Sequence, residues 1–143
     1  MFATAFYCVV DLKVGMLHYA NAGHPFPYII QPDNNGVKTI SNNGKKPDPA
    51  LGLFTTHNYT AYEHPMTKGD IVFFFTDGLY EVESKHRKIF GKERLLKTVK
   101  NQLHKTPEMM LDGILSEVNK YAGTSEFNDD VCMVTMHVRG ANK

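Results

Sequence analysis

Residues Ile71-Val72-Phe73-Phe74-Phe75 form an unbroken apolar run that leads into Thr76-Asp77-Gly78-Leu79-Tyr80-Glu81. Five consecutive β-branched and aromatic residues read as a strand buried on both faces. The strand delivers one carboxylate, Asp77, to its end, where Gly78 lets the backbone turn sharply. A carboxylate beside so apolar a strand is costly to bury unless a positive charge compensates it. A second acidic segment, Asn128-Asp129-Asp130, precedes the apolar stretch Val131-Cys132-Met133-Val134-Thr135-Met136. Acidic groups at opposite ends of two such strands can meet at one edge of a sheet and form a hard-cation site. Asp-Gly after a strand and Asn-Asp before one are also ordinary turns. Residue type alone leaves both readings open.

The remaining chain reads as antiparallel strands followed by two helices. Strands are expected over residues 2–12, 16–20, 26–30 and 37–40, with an exposed strand near 57–64 and a last one over 130–138. Asp11-Leu12-Lys13-Val14-Gly15 is a turn that makes the first two strands a hairpin. Residues 41–50 carry Pro47 and Pro49 and no periodicity, so they read as a loop. Leu95, Leu96, Val99 and Leu103 recur at helical spacing over 92–103. Thr106-Pro107-Glu108 is a helix start, and Met110, Leu111, Ile114, Leu115, Val118 and Tyr121 form the stripe that follows, ended by Gly123. The order of elements predicts a single α+β domain over residues 1–143, with an antiparallel helix pair on a sheet.

With 143 residues the chain is long enough for a substantial core. Its net charge of +1, with no basic run, gives no reason to expect nucleic acid or an anionic membrane as partner. Cys8 and Cys132 both sit in apolar strand patterns and read as buried, reduced thiols, which fits a cytoplasmic protein. No run is long enough for a transmembrane helix.

Seven segments, in order, resemble the stage II sporulation protein E (SpoIIE) type of PPM phosphatase, the metal-dependent serine/threonine phosphatases of bacterial signalling. They are Met1-Phe2-Ala3-Thr4-Ala5, Tyr19-Ala20-Asn21-Ala22-Gly23-His24-Pro25, Leu51-Gly52, Lys68-Gly69-Asp70-Ile71, Thr76-Asp77-Gly78-Leu79-Tyr80-Glu81, Phe90-Gly91-Lys92-Glu93-Arg94-Leu95 and Asp129-Asp130-Val131. The resemblance implies two stacked antiparallel sheets flanked by helical pairs, with two Mn²⁺ or Mg²⁺ ions at the edge between the sheets. In such enzymes water activated by the metal pair attacks phosphorus directly, without a phosphoenzyme. By position, Asp77 with the adjoining Gly78, and Asp129, match the family's metal-binding and catalytic positions, and Asp130, at the next position, is a further candidate metal ligand. The implied substrate is a phosphoserine or phosphothreonine on an anti-sigma-factor antagonist protein, with an upstream sensor domain in the full-length parent and control of a sigma factor as output.

The family's first metal motif, Gly-Asp followed shortly by Gly-His-Gly, has no counterpart in this sequence, which resembles the C-terminal part of the domain. Mg²⁺ and Mn²⁺ prefer six oxygen ligands, so two carboxylates are expected to bind metal weakly and to support little phosphatase activity. An alternative is a non-catalytic protein-interaction module of the same fold. If the helices that normally cover one sheet are missing, an apolar face is exposed and homodimerisation through it is expected. His24 reads first as a hydrogen-bonding turn residue. Glu81 reads equally as a carboxylate supporting a metal ligand or as a solvated residue. Lys92, Arg94 and Lys97 read first as a solvated helix face.

Overall fold

The computed structural model describes residues 1–42, 44, 46–124 and 126–139. The apolar run at 71–75 is an inner strand of a four-stranded antiparallel sheet. In chain order the elements are β1 (Ala5–Asp11), β2 (Met16–Ala22), β3 (Tyr28–Gln31), β4 (Gly36–Thr39), β5 (Tyr62–Pro65), β6 (Ile71–Phe75), α1 (Lys92–Lys100), α2 (Pro107–Ala122) and β7 (Met133–His137). One sheet has the order β1-β2-β5 and the other β4-β3-β6-β7, with every pairing of named strands antiparallel.

Side-chain alternation divides β6 between two cores. Ile71, Phe73 and Phe75 face one way and join Tyr28, Ile30, Leu95, Val99, Met110, Ile114 and Val118 of β3 and the two helices. Val72 and Phe74 face the other way, where Val72 packs with Ile29, Leu17, Tyr19, Ile40 and Met66 between the sheets. The order of layers is therefore sheet, sheet, helix pair. Phe73 is wholly buried, and its ring lies 6.5 Å from that of Tyr28 and 5.2 Å from that of Phe75.

The entry to β6 is held by a buried acid. Asp70 accepts from the Thr67 backbone N–H at 2.9 Å and from Gln31 Nε2 at 3.3 Å, which satisfies a carboxylate that is only 3% exposed. At the same end Gly69 N–H donates to the Val138 carbonyl and Val138 N–H to the Asp70 carbonyl, extending the β6–β7 ladder.

The elements follow the expected order, with shifts at their ends. The helix expected over 92–103 stops at Lys100, because the backbone tightens into turns in which Gln102 N–H meets the Val99 carbonyl and Leu103 N–H the Lys100 carbonyl. Leu103 still packs against the main core from this turn. Helix α2 begins as read: Thr106 Oγ1 accepts from Met109 N–H at 3.3 Å, Pro107 opens the helix, and Gly123 closes it with φ of 73°. Asn43 and Lys45 of the 41–50 loop lie outside the described residues.

One expectation is overturned. Cys132 is exposed, not buried, because β7 begins at Met133 and Cys132 sits on the lead-in to an edge strand. Cys8 is half-buried, and burial pushes its thiol pKa upward. The outward face of the three-stranded sheet leaves Tyr7 and Val9 70% and 49% exposed.

Phe73→Ala is expected to cost about 3–5 kcal/mol, since no nearby group can fill the space between sheet and helices. Urea denaturation followed by circular dichroism measures this, with the midpoint falling and the slope retained.

Candidate functional site

The ends of β6 and β7 are joined by one hydroxyl. Thr76 Oγ1 donates to the Asp130 carbonyl at 2.9 Å and accepts from Cys132 N–H at 2.9 Å. Thr76 N–H also donates to the Cys132 carbonyl at 3.1 Å, so pairing runs one residue beyond the Phe75–Met133 register. Immediately afterwards the chain turns through a short 3-10 segment, Asp77–Leu79. Gly78 is pressed against the partner segment: a Cβ there would lie 2.7 Å from the Asp130 carbonyl oxygen and 3.3 Å from that of Asp129. Glycine is required here by close approach, since any side chain would force the two segments apart.

The two acidic segments therefore meet, backbone to backbone, at one edge of the sheet. Their side chains open onto different cavities. Asp77 lines a cavity of about 380 Å³ with Gly23, His24, Pro25, Lys46, Tyr80 and Lys92. Asp129 lines a second one of about 220 Å³ with Gly78, Glu81, Glu83 and Asn128. Asp77, Asp129 and Asp130 are all exposed. One oxygen of Asp77 accepts from Gly78 N–H at 3.1 Å, and one of Asp129 from Asp130 N–H at 2.8 Å, which orients both carboxylates.

The donor chemistry at this edge suits a hard divalent cation, since the donors are carboxylate, amide and backbone oxygens. The number of donors is the shortfall. Among the described residues, no group of three or more His, Cys, Asp and Glu side chains is placed to hold a metal ion.

His24 is the hydrogen-bonding turn residue that the sequence suggested, and the fold also sets it in the cavity that Asp77 lines. The wholly buried Asn21 clamps it, accepting from His24 N–H at 2.8 Å and donating to the His24 carbonyl at 2.9 Å. Thr4 Oγ1 lies 3.3 Å from Nδ1. Burial lowers the imidazole pKa, opposed by the Asp77 carboxylate and the Phe75 carbonyl, so the ring stands beside the end of β6. The loop 23–25 and Asp77 are far apart in the chain, and only the pairing of β3 with β6 brings them together. Tyr80 faces the same cavity with its phenol pushed up to about 12, by burial first and then by Asp77 and Glu81. It is a neutral hydroxyl at any working pH.

The basic residues of α1 divide. Lys92 Nζ stands 5.0 Å from the Tyr80 ring centre, at the cavity that Asp77 lines. Arg94 is used in packing, with its guanidinium 4.2 Å from the Tyr121 ring centre and 5.7 Å from that of Phe90. No helix among the described residues is long and apolar enough to cross a membrane.

Residues 1–139 match the model of the family described as Stage II sporulation protein E (SpoIIE). Protein IcfG of Synechocystis sp. is 30% identical over 137 residues, covering 96% of this chain and 21% of IcfG. Phosphoserine phosphatase RsbU of Bacillus subtilis is 21% identical over 136 residues, covering 95% of this chain and 39% of RsbU. Among solved structures, the SiaA-PP2C domain of Pseudomonas aeruginosa superposes with a TM-score of 0.78 at 20% identity, over 94% of this chain and 51% of that one. The chain thus spans well under half the length of these curated relatives. The structural likeness establishes the fold, two antiparallel sheets with a helix pair as in PP2C phosphatase domains, of which this chain carries part. By a family match that takes in all but its last few residues, the chain belongs to the SpoIIE family of PPM-type, metal-dependent phosphatases.

Proposed function

We propose that this chain is the C-terminal portion of a protein phosphatase that hydrolyses phosphoserine or phosphothreonine on a regulatory phosphoprotein. The observation that carries this reading is the Thr76 junction, which sets Asp77 and Asp129 at the paired ends of β6 and β7. A binding module has no need to bring two carboxylate-bearing segments together, backbone to backbone, at one sheet edge. Asp77 and Asp129 are the catalytic pair, and together with Gly78 and Asp130 they form the metal-binding edge of this chain. When bound, Mn²⁺ or Mg²⁺ activates water and neutralises phosphoryl charge. The chain's own residues orient the carboxylates, through Gly78 N–H and Asp130 N–H, and hold the two segments in register. Tyr80 stays neutral as a hydrogen-bonding wall.

Similarity to a phosphoserine phosphatase supports a phosphoserine-bearing substrate; by the family resemblance that substrate is an anti-sigma-factor antagonist protein, the output partner switching on a sigma factor and the setting cytoplasmic. The remaining metal ligands, and any sensor domain, belong to the parts of the relatives that lie outside the matched region. The isolated chain is accordingly a weak phosphatase. The exposed Tyr7 and Val9 face is the part of the chain that supports self-association.

In the full-length protein, Asp77→Asn is expected to reduce Mn²⁺-dependent hydrolysis of p-nitrophenyl phosphate by at least about 100-fold, since it removes a ligand charge. Full activity in that variant would favour an interaction module over an enzyme. Gly78→Ala is expected to cost about 1–3 kcal/mol by driving a methyl group into the Asp130 carbonyl, measured by denaturant midpoint. Light scattering of the isolated chain at high concentration is expected to show a dimer; a monomer would count against an exposed interface.

A further inference from the structure

Next to the cavity that Asp77 lines is an apolar recess that the metal chemistry does not use. The recess, about 210 Å³, is lined by Pro25, Phe26, Tyr28, Thr39, Phe75 and Leu96, with Lys92 and Glu93 at its rim. Pro25, Phe26 and Lys92 line both spaces, so the two are adjacent. Its walls are rigid. Tyr28 and Phe75 are buried core residues whose rings lie 4.9 Å apart, and the Tyr28 hydroxyl reaches the Lys92 carbonyl at 3.4 Å. The loop that forms the third wall is clamped by Asn21.

Charge is divided between the two spaces. Lys46 and Lys92 line the Asp77 cavity, where Asp77 is the one carboxylate among the described lining residues. In the recess the apolar lining predominates and Glu93 is the one carboxylate. A ligand complementary to both would carry an anion next to an apolar side chain.

We propose that this composite pocket reads the substrate around its phosphorylated residue: Lys92 and Lys46 hold the phosphate over Asp77, and the recess takes one apolar side chain adjacent to the phosphoserine. The inference rests on the phosphatase reading of Asp77 and adds a sequence preference to it. Phe26, Thr39 and Leu96 are then specificity residues, and Lys92 is a substrate-positioning residue. A recess of this volume accommodates a Leu or Met side chain, whose burial is worth an affinity factor of about ten or more.

The test measures binding, so it does not depend on turnover. It uses the full-length protein in the Asp77→Asn background, which also removes the charge opposing the phosphate. Fluorescence anisotropy is read with four labelled peptides, carrying Leu or Gly next to a serine that is phosphorylated or not. The phosphorylated Leu peptide is expected to bind about tenfold more tightly than the phosphorylated Gly peptide. Replacing Lys46 and Lys92 together by Ala is expected to weaken both phosphopeptides about tenfold and leave the unphosphorylated peptides unchanged. Thr39→Trp, at an exposed position of the edge strand β4, fills the recess without replacing a core residue and is expected to abolish the Leu preference. Equal affinity for the Leu and Gly peptides, an unchanged phosphopeptide affinity in the double lysine variant, or no binding at millimolar concentration would overturn the proposal. Failure of the phosphatase reading shows separately, as Mn²⁺-dependent hydrolysis that survives Asp77→Asn.

Discussion

The Thr76 hydroxyl uses both its donor and its acceptor capacity on one backbone segment, spanning a separation of 54 residues in the chain. Everything at the site depends on that connection. It extends β6–β7 pairing past the last apolar residue, brings Gly78 against the Asp130 carbonyl and fixes where two carboxylates leave the sheet. A valine in its place would fill the same volume and leave the Asp130 carbonyl without this partner. The hydroxyl is therefore a structural hinge pin at a site whose chemistry belongs to its neighbours.

Behind it stands the layered core. β6 is covered on one face by the helix pair and on the other by the second sheet, which leaves its C-terminal end as the outlet for polar chemistry. The alternation of Ile71, Phe73 and Phe75 against Val72 and Phe74 assigns each side chain to one core, so a slip in register would exchange both cores at once. The same rigidity extends to the cavity. Phe75 and Tyr28 belong to the core and to the recess wall, so the pocket's shape is set by packing that the fold cannot relax.

Much of this was legible from residue types. The apolar run at 71–75, the Thr106-Pro107 helix start and the Gly123 stop follow from local physics, and the structure reproduces them. Elements whose ends are decided by tertiary packing were less legible. Nothing local in 101–103 announces that α1 gives way to tighter turns while Leu103 keeps its place in the core. The exposure of Cys132 follows from its place on an edge-strand lead-in, which an apolar pattern does not reveal. His24 was legible as a turn residue, and Asn21 does clamp it as one. Its station beside Asp77 is a product of sheet topology. Arg94 is exposed, as a residue of a solvated helix face, and its packing on Phe90 and Tyr121 is a contact that only the fold supplies.

The long span between the two halves of the Thr76 junction has a consequence for biosynthesis. Asp77 leaves the ribosome well before the segment that orders it, and at about 5–20 residues per second the intervening stretch takes seconds to follow. During that interval the β6 edge that will receive β7 is unpaired, and one of the most apolar strands of the molecule is open to whatever is nearby. The helix pair, rich in local contacts, can form in the meantime and shield one face of β6. The carboxylate-bearing edge thus forms after the helix pair, and a nascent chain has part of its core before β7 completes that edge.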